Sequence, residues 1–235
     1  EKMNIIEFKN VSKRYKVGNQ EIEAVKHVSF NIESGEFVVV LGASGAGKST
    51  ILNLLGGMDT VSEGQILVEG QDIVNFSEKE LTKYRAEKIG FVFQFYNLIS
   101  NLNTLENVEF AIEVSQKSLN PKDILKRVGL SERLKNFPSQ LSGGEQQRVS
   151  IARAIAKNPL LLLCDDPTGA LDYETGKEVL QLIKELNEST KKSVVLITHN
   201  SAISKIADKV IHVRSGQIEK IEYNSDKIPV SELEW

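Results

Sequence analysis

The chain has a single cysteine, Cys164, among 235 residues. That excludes an intrachain disulfide and a cysteine-based zinc cluster, and it agrees with a reducing compartment. No apolar run approaches the ~18 residues of a membrane-spanning helix. Any membrane role is therefore expected to come through a partner, with no direct membrane insertion. The opening residues, Glu1-Lys2-Met3-Asn4, lack the apolar core of a secretory signal. There is no surplus of positive charge: 29 Lys and Arg stand against 32 Asp and Glu, a net charge of −3. That balance speaks against broad electrostatic binding to nucleic acid. Internal repeats and low-complexity linkers are missing as well. With 40% hydrophobic residues the chain has the material for a sizeable core, in one large domain or two small ones.

What is there begins with Gly42-Ala43-Ser44-Gly45-Ala46-Gly47-Lys48-Ser49, followed by Thr50. This is G-x-x-x-x-G-K-[ST], a phosphate-binding P-loop. The apolar run Phe37–Leu41 before it reads as a buried parallel strand, and Ile51–Leu55 after it as the opening of a buried helix. The glycines let the backbone turn tightly, so that its N–H groups point at phosphate oxygens. The positive end of the following helix faces the same anion. Lys48 reaches the β- and γ-phosphates, and the Ser49 hydroxyl is a Mg²⁺ ligand. This motif alone indicates a nucleotide and leaves kinase, GTPase, motor and transporter ATPase open.

Strands are expected at Ile5–Val11, Glu21–Val25, Val28–Ile32, Gly64–Val68 and Ile89–Phe93. Ser77 is placed to cap a helix running to about Tyr84, with Glu80 at the capping-box spacing. From about 98 to 140 the pattern turns helical, with stretches at 104–115, 121–128 and 131–134. This reads as a small helical subdomain inserted into a P-loop core. Helices at 143–157 and 174–189, strands at 160–164 and 194–198, and a hairpin at 208–221 follow. Alternating strands and helices imply an α/β fold with a mostly parallel sheet and a small antiparallel β part near the N-terminus. Residues 1–222 are expected as one nucleotide-binding domain and 223–235 as a loose tail.

Two further stretches carry chemistry. Leu160–Cys164 followed by Asp165-Asp166 reads as a Walker B strand, bringing Asp165 to the strand's C-terminal edge beside the P-loop as a Mg²⁺ ligand. In Leu141-Ser142-Gly143-Gly144-Glu145-Gln146-Gln147-Arg148, Ser142 is a helix cap, and two glycines leave the first N–H groups uncovered as a second anion site. One γ-phosphate does not easily meet two helix N-termini from distant parts of one chain. A two-fold homodimer resolves this, each ATP lying at the interface between the P-loop of one copy and this helix of the other.

Together, LSGGEQQR, the P-loop, Asp165-Asp166 and Gln94 resemble an ABC transporter nucleotide-binding subunit over essentially Ile5–Ile221. Pro167–Asp172 and Thr104–Val108 resemble its MacB/LolD-like branch. The resemblance implies roles by position. Tyr15 stacks on adenine. Gln94 touches Mg²⁺ and the attacking water and senses the membrane partner. Ser142, Gly143 and Gly144 bind the γ-phosphate across the dimer. Asp172 lies at the subunit interface, and His199 is the switch histidine at the γ-phosphate. It further implies a MacB/FtsX-like integral-membrane permease partner, a location on the cytoplasmic face of the membrane, and amphiphilic cargo such as antimicrobial peptides, macrolides or lipoproteins. An FtsE-like mechanical switch without cargo is the alternative. Against a DNA- or ribosome-acting ABC ATPase stand the missing coiled-coil insert, the single nucleotide-binding unit and the acidic balance. Too few residues follow Ile221 for a fused sensor domain. Phe95, Tyr96 and Leu98 are either apolar surface for the permease or core. His27 and His212 match no motif, and Cys164 reads as packing.

One residue departs from the family pattern. Asp166 stands where the family usually has the glutamate that polarises the attacking water. The charge is kept, but the carboxylate is withdrawn by one methylene, about 1.5 Å of reach. Slow hydrolysis and a longer-lived ATP-bound dimer are expected, with ATP and Mg²⁺ binding kept. The aspartate is either natural, with a water or a small backbone shift making up the reach, or a substitution introduced to slow turnover.

Overall fold

Alternation at the N-terminus runs further than the sequence pattern predicts. In a computed structural model, which describes residues 3–235, β1 (Asn4–Val17) and β2 (Gln20–Glu33) form one long antiparallel hairpin. The pieces expected at Glu21–Val25 and Val28–Ile32 are thus a single strand. His27 has a φ of 47° where the β1–β2 register slips between Val28 and Val25. A bulge there absorbs the break that mimics a turn, and the Ser12 hydroxyl accepts the His27 N–H at 2.9 Å.

The rest follows in chain order. β3 (Phe37–Leu41) leads through the glycine-rich loop into α1 (Lys48–Leu55). β4 (Glu63–Val68), β5 (Gln71–Asp72), α2 (Glu78–Lys88) and β6 (Ile89–Val92) come next. α3 (Thr104–Ile112) and α4 (Pro121–Arg127), with 3₁₀ turns at Ser131–Arg133 and Pro138–Gln140, lead to α5 (Gly143–Ala156). β7 (Leu161–Asp165), α6 (Tyr173–Thr190), β8 (Ser193–Thr198), β9 (Lys209–Arg214) and β10 (Gln217–Tyr223) complete the core. The capping box at Ser77 and Glu80 is formed as expected. Asn103 and Glu106 build another at the start of α3.

Two sheets result. The antiparallel one has the order β2-β1-β4-β5, and the larger one β10-β9-β3-β8-β7-β6, parallel from β9 through β6. This is the expected α/β class, a mostly parallel sheet beside an N-terminal antiparallel one. The central strands feed two cores by strict alternation. Phe37 and Val39 join Leu162, Cys164, Val194 and Leu196 under α5 and α6. Val38 and Val40 join Leu161, Leu163, Val195 and Ile197 on the side of α1 and the antiparallel sheet. Burial on both faces is why these strands read as unbroken apolar runs. Cys164 is one of the packed residues, and burial pushes its thiol well above the ordinary range.

The closing residues are not loose. Val230 and Leu233 are buried, and Trp235 meets the Tyr173 ring edge-on at 5.0 Å. The Tyr173 hydroxyl and Lys177 Nζ donate to the Leu233 carbonyl at 2.9 and 3.0 Å. The apolar residues Ile228, Val230 and Leu233 are spaced to cover one flank of the core that includes α6, and a turn signal at Pro229 hides that pattern. Among the described residues, no helix is long and apolar enough to cross a membrane.

Candidate functional site

Parallel strands bring their following loops to one edge, and here the loops after β3, β6, β7 and β8 share a cavity of about 520 Å³. The loop after β3 contributes Ser44, Gly45, Gly47, Lys48, Ser49 and Thr50. Asp165 and Asp166 arrive at the end of β7, and Thr198 and His199 at the end of β8. Gln94, just past β6, completes the rim. Of the expected loop residues, Gly42, Ala43 and Ala46 shape the turn behind this lining. Gly47 has a φ of 100°, and a Cβ there would lie 2.7 Å from the Ala24 carbonyl oxygen. Only glycine fits both the conformation and the space. Lys48 Nζ donates to the Gly42 and Ala43 carbonyls, each at 2.7 Å.

The electrostatics of the cavity floor follow from burial. Asp165 is held above the usual carboxylate range, by burial first and by the charge of Asp166 second, while Lys48 pulls the other way. The Lys48 ammonium is lowered by burial, against the attraction of Asp166 and Asp165. A hard cation would relieve the two neighbouring carboxylates. Ser49, Asp165 and Gln94 offer it a hydroxyl, a carboxylate and an amide oxygen, and among the described residues no cluster of three His, Cys, Asp or Glu ligands forms a metal cage. That donor set fits Mg²⁺, which keeps few protein ligands and fills its sphere with phosphate and water oxygens.

Asp166 sits at a φ of 42°. Its Oδ1 accepts from Thr198 Oγ1 at 3.3 Å, and its Oδ2 lies 3.1 Å from His199 Nδ1. A carboxylate accepts, so the ring nitrogen facing it, Nδ1, is the one that donates. A Cβ on Gly169 would lie 2.5 Å from Asp166 Oδ2 and 2.7 Å from Gln94 Nε2. The tips of Asp166 and Gln94 therefore converge on one point.

The other expected residues gather elsewhere. Ser142 caps α5, accepting the Glu145 N–H at 3.2 Å while the Glu145 carboxylate accepts the Ser142 N–H at 2.9 Å. Asp172 caps α6 through the Thr175 N–H at 3.1 Å, and hydrogen bonding from Thr175, its hydroxyl first and its N–H second, holds the Asp172 carboxyl below the usual range. A Cβ on Gly144 would lie 2.3 Å from Thr175 Cγ2, and one on Gly143 would lie 2.9 Å from the Tyr96 hydroxyl. Ser142, Gly143 and Asp172 thus gather outside the cavity lining, with Gly144 buried among them against Thr175. Tyr15 does not line the cavity; Ile22, its partner across the β1–β2 ladder, does. The Tyr15 hydroxyl donates to Asp59 Oδ2 at 2.5 Å, and Lys13 Nζ stands 5.0 Å from the ring centre. Of the three apolar residues after Gln94, Phe95 is exposed, whereas Leu98 packs on the core.

The turn at Ser215 and Gly216 also lines the cavity, which sequence reasoning missed. Gly216 N donates to Ala46 O at 2.9 Å, and Lys26 N donates to Gly216 O at 2.8 Å. One turn thus ties the phosphate loop to both sheets. Only the pairing of β3 with β9 brings it there, and strand order is not written in any local pattern.

The family described as "ABC transporter" matches residues 25–169. An uncharacterized ABC transporter ATP-binding protein of Methanocaldococcus jannaschii is 44% identical over 93% of this chain and 97% of its own length. The chain belongs to the ABC transporter family. A dimeric structure of that archaeal ATP-binding cassette, in a post-hydrolysis state bound to ADP and Pi, superposes with a TM-score of 0.84 at 44% identity over 93% of this chain and 98% of that one. The macrolide export ATP-binding/permease protein MacB of Shigella sonnei is 38% identical over 97% of this chain, which spans 36% of that larger protein. The ABC protein described here is accordingly an ATP-binding transporter subunit, an ATPase whose fold is that of the ABC nucleotide-binding domain.

Proposed function

We propose that this ABC ATPase hydrolyses Mg-ATP at two composite sites of a homodimer and passes the resulting closure and opening to a membrane permease. The observation that carries the reading is the separation described above. The P-loop, Asp165, Asp166, Gln94 and His199 share one cavity, while Ser142, Gly143, Gly144 and Asp172 gather at the starts of α5 and α6, outside its lining. A second copy related by a two-fold axis brings that group to the γ-phosphate held by Lys48 and the loop N–H groups. The dimeric cassette of the archaeal relative supports this arrangement. Within the site, Asp166 orients and activates water, and His199 and Gln94 position water and γ-phosphate; Tyr15, outside the cavity lining but paired with Ile22 of that lining, stacks on adenine. Ser49, Asp165 and Gln94 would hold Mg²⁺, which would supply positive charge to the phosphates. Lys48 and the Ser142–Gly144 N–H groups stabilise charge that develops in the transition state.

The domain reading is one ATP-binding domain over residues 1–222, with its helical subdomain at about 98–140, and a C-terminal segment at 223–235. The permease docks beside Phe95 and the helical subdomain and holds this subunit at the cytoplasmic face of the membrane. MacB-like similarity supports a permease of the MacB/FtsX kind and export of amphiphiles such as macrolides, antimicrobial peptides or lipoproteins.

The test is phosphate release against protein concentration, with the oligomeric state measured in ATP. A dimer in Mg-ATP, with specific activity rising through the dimerisation range and lost on chelation of Mg²⁺, is expected. A monomer in ATP with concentration-independent specific activity overturns the composite site.

A further inference from the structure

Gln147 lies on α5 and is fully buried. Its Nε2 donates to the Phe93 carbonyl at 3.1 Å and to the Pro167 carbonyl at 2.7 Å. Phe93 immediately precedes Gln94, and Pro167 immediately follows Asp166. The paired register of β6 and β7 ends at Val92 and Cys164. Past that point, one side-chain amide continues the connection between the two segments.

Its orientation is fixed by chemistry. Two carbonyl oxygens only accept, so the amide nitrogen must face them. That leaves Oε1 buried without a hydrogen-bond partner. An unpaired buried acceptor costs stability, and an apolar side chain of the same length would avoid the cost. The position is therefore filled for its two donors. Both donors act on the segments whose tips, Gln94 Nε2 and Asp166 Oδ2, converge beside Gly169.

We propose that Gln147 is a positioning residue for hydrolysis. Its amide locks the Gln94 and Asp166 segments in register, so that both tips address the same water. Because it stands on the helix that Ser142 caps, a displacement of that helix reaches both segments at once. This role rests on the reading of Gln94 and Asp166 given above.

Turnover of the full chain decides it, using Gln147→Met, which keeps the length and removes the donors, and Gln147→Glu, which sets a carboxylate against two carbonyls. Ser150→Ala is the control, since Ser150 is buried on the same helix with its hydroxyl unpaired. Misplacing reacting groups by about 1 Å costs on the order of 100-fold. Both Gln147 variants should therefore lose about 10–100-fold in kcat while KM for Mg-ATP stays within about twofold, and Ser150→Ala should keep its rate. An unchanged kcat with a lowered Tm overturns the proposal, as does a raised KM at unchanged kcat. If neither Gln147 variant folds, the amide serves the fold alone and the positioning role falls. Asp166→Asn, assayed beside them, separates the two readings. If Asp166→Asn keeps turnover, the water-activating assignment itself fails. If it abolishes turnover while Gln147→Met keeps full kcat, only the role of Gln147 is overturned.

Discussion

Lengthening Asp166 by one methylene is the sharpest perturbation of this site. A glutamate there carries the carboxylate outward by about 1.5 Å. A misplacement of about 1 Å at a reacting centre costs on the order of 100-fold, so Asp166→Glu should turn over on the order of 100-fold faster than the Asp166 chain. The gain comes at a structural cost. The native carboxylate is tied to Thr198 Oγ1 at 3.3 Å and to His199 Nδ1 at 3.1 Å, and a longer side chain gives up that fit. The backbone φ of 42° also suits aspartate better than glutamate, because a short polar side chain bonds locally in the left-handed region. A left-handed penalty of about 1–2 kcal/mol falls on folding, so Tm should drop by a few degrees while the rate rises. The assay is steady-state phosphate release at saturating Mg-ATP, beside the lifetime of the dimer in ATP, which should be shorter for the Glu form. Asp166→Asn sets the floor, with turnover near background. Equal turnover of the Asp and Glu forms refutes the argument from reach. Turnover retained by Asp166→Asn refutes the assignment of the water-activating carboxylate.

Two other expectations concern stability. Burial, with the repulsion of Arg153 second, lowers the Lys157 ammonium to about 8, below the ~10.4 of an unfolded chain. The folded state therefore holds fewer protons between those values, and stability rises with pH across that window; the Tm of the native chain should gain on that of Lys157→Met from pH 8 to about 10, and parallel curves would contradict it. Leu233 is fully buried, so Leu233→Ala should cost about 2–5 kcal/mol in urea unfolding, and a loss below about 1 kcal/mol would show that the closing segment carries no weight.

The outline of this molecule was legible where information is local. The P-loop declares itself because strand, glycines, lysine and serine must be adjacent in sequence to wrap one phosphate. Asp165 was legible because an unbroken apolar strand can only end at the sheet's edge. The capping box at Ser77 and the cap at Ser142 were legible because a capping side chain acts within one turn of its own helix. What stayed hidden depends on distance. The bulge at His27 looks like a turn until its partner strand is known. Ser215 and Gly216 look like any hairpin turn until β9 is set beside β3. The docking of Leu233 on its neighbours is invisible in a segment that begins with Pro229. The division of the expected residues into a cavity and a separate group was inferred from two anion sites. The distances within each group required the folded chain.

The position of β3 in the sheet bears on how the protein is made. Its two hydrogen-bonded neighbours are β8 and β9, residues 193–198 and 209–214. A ribosome delivers the phosphate loop before either neighbour of β3, and that strand stays without lateral support until β8 and β9 have followed. Non-local parallel pairing of this kind is slow to form and leaves strand edges open meanwhile. A nascent chain therefore holds the nucleotide motif long before it holds a nucleotide site, and fragments released early carry an unpaired apolar strand in place of an uncontrolled ATPase.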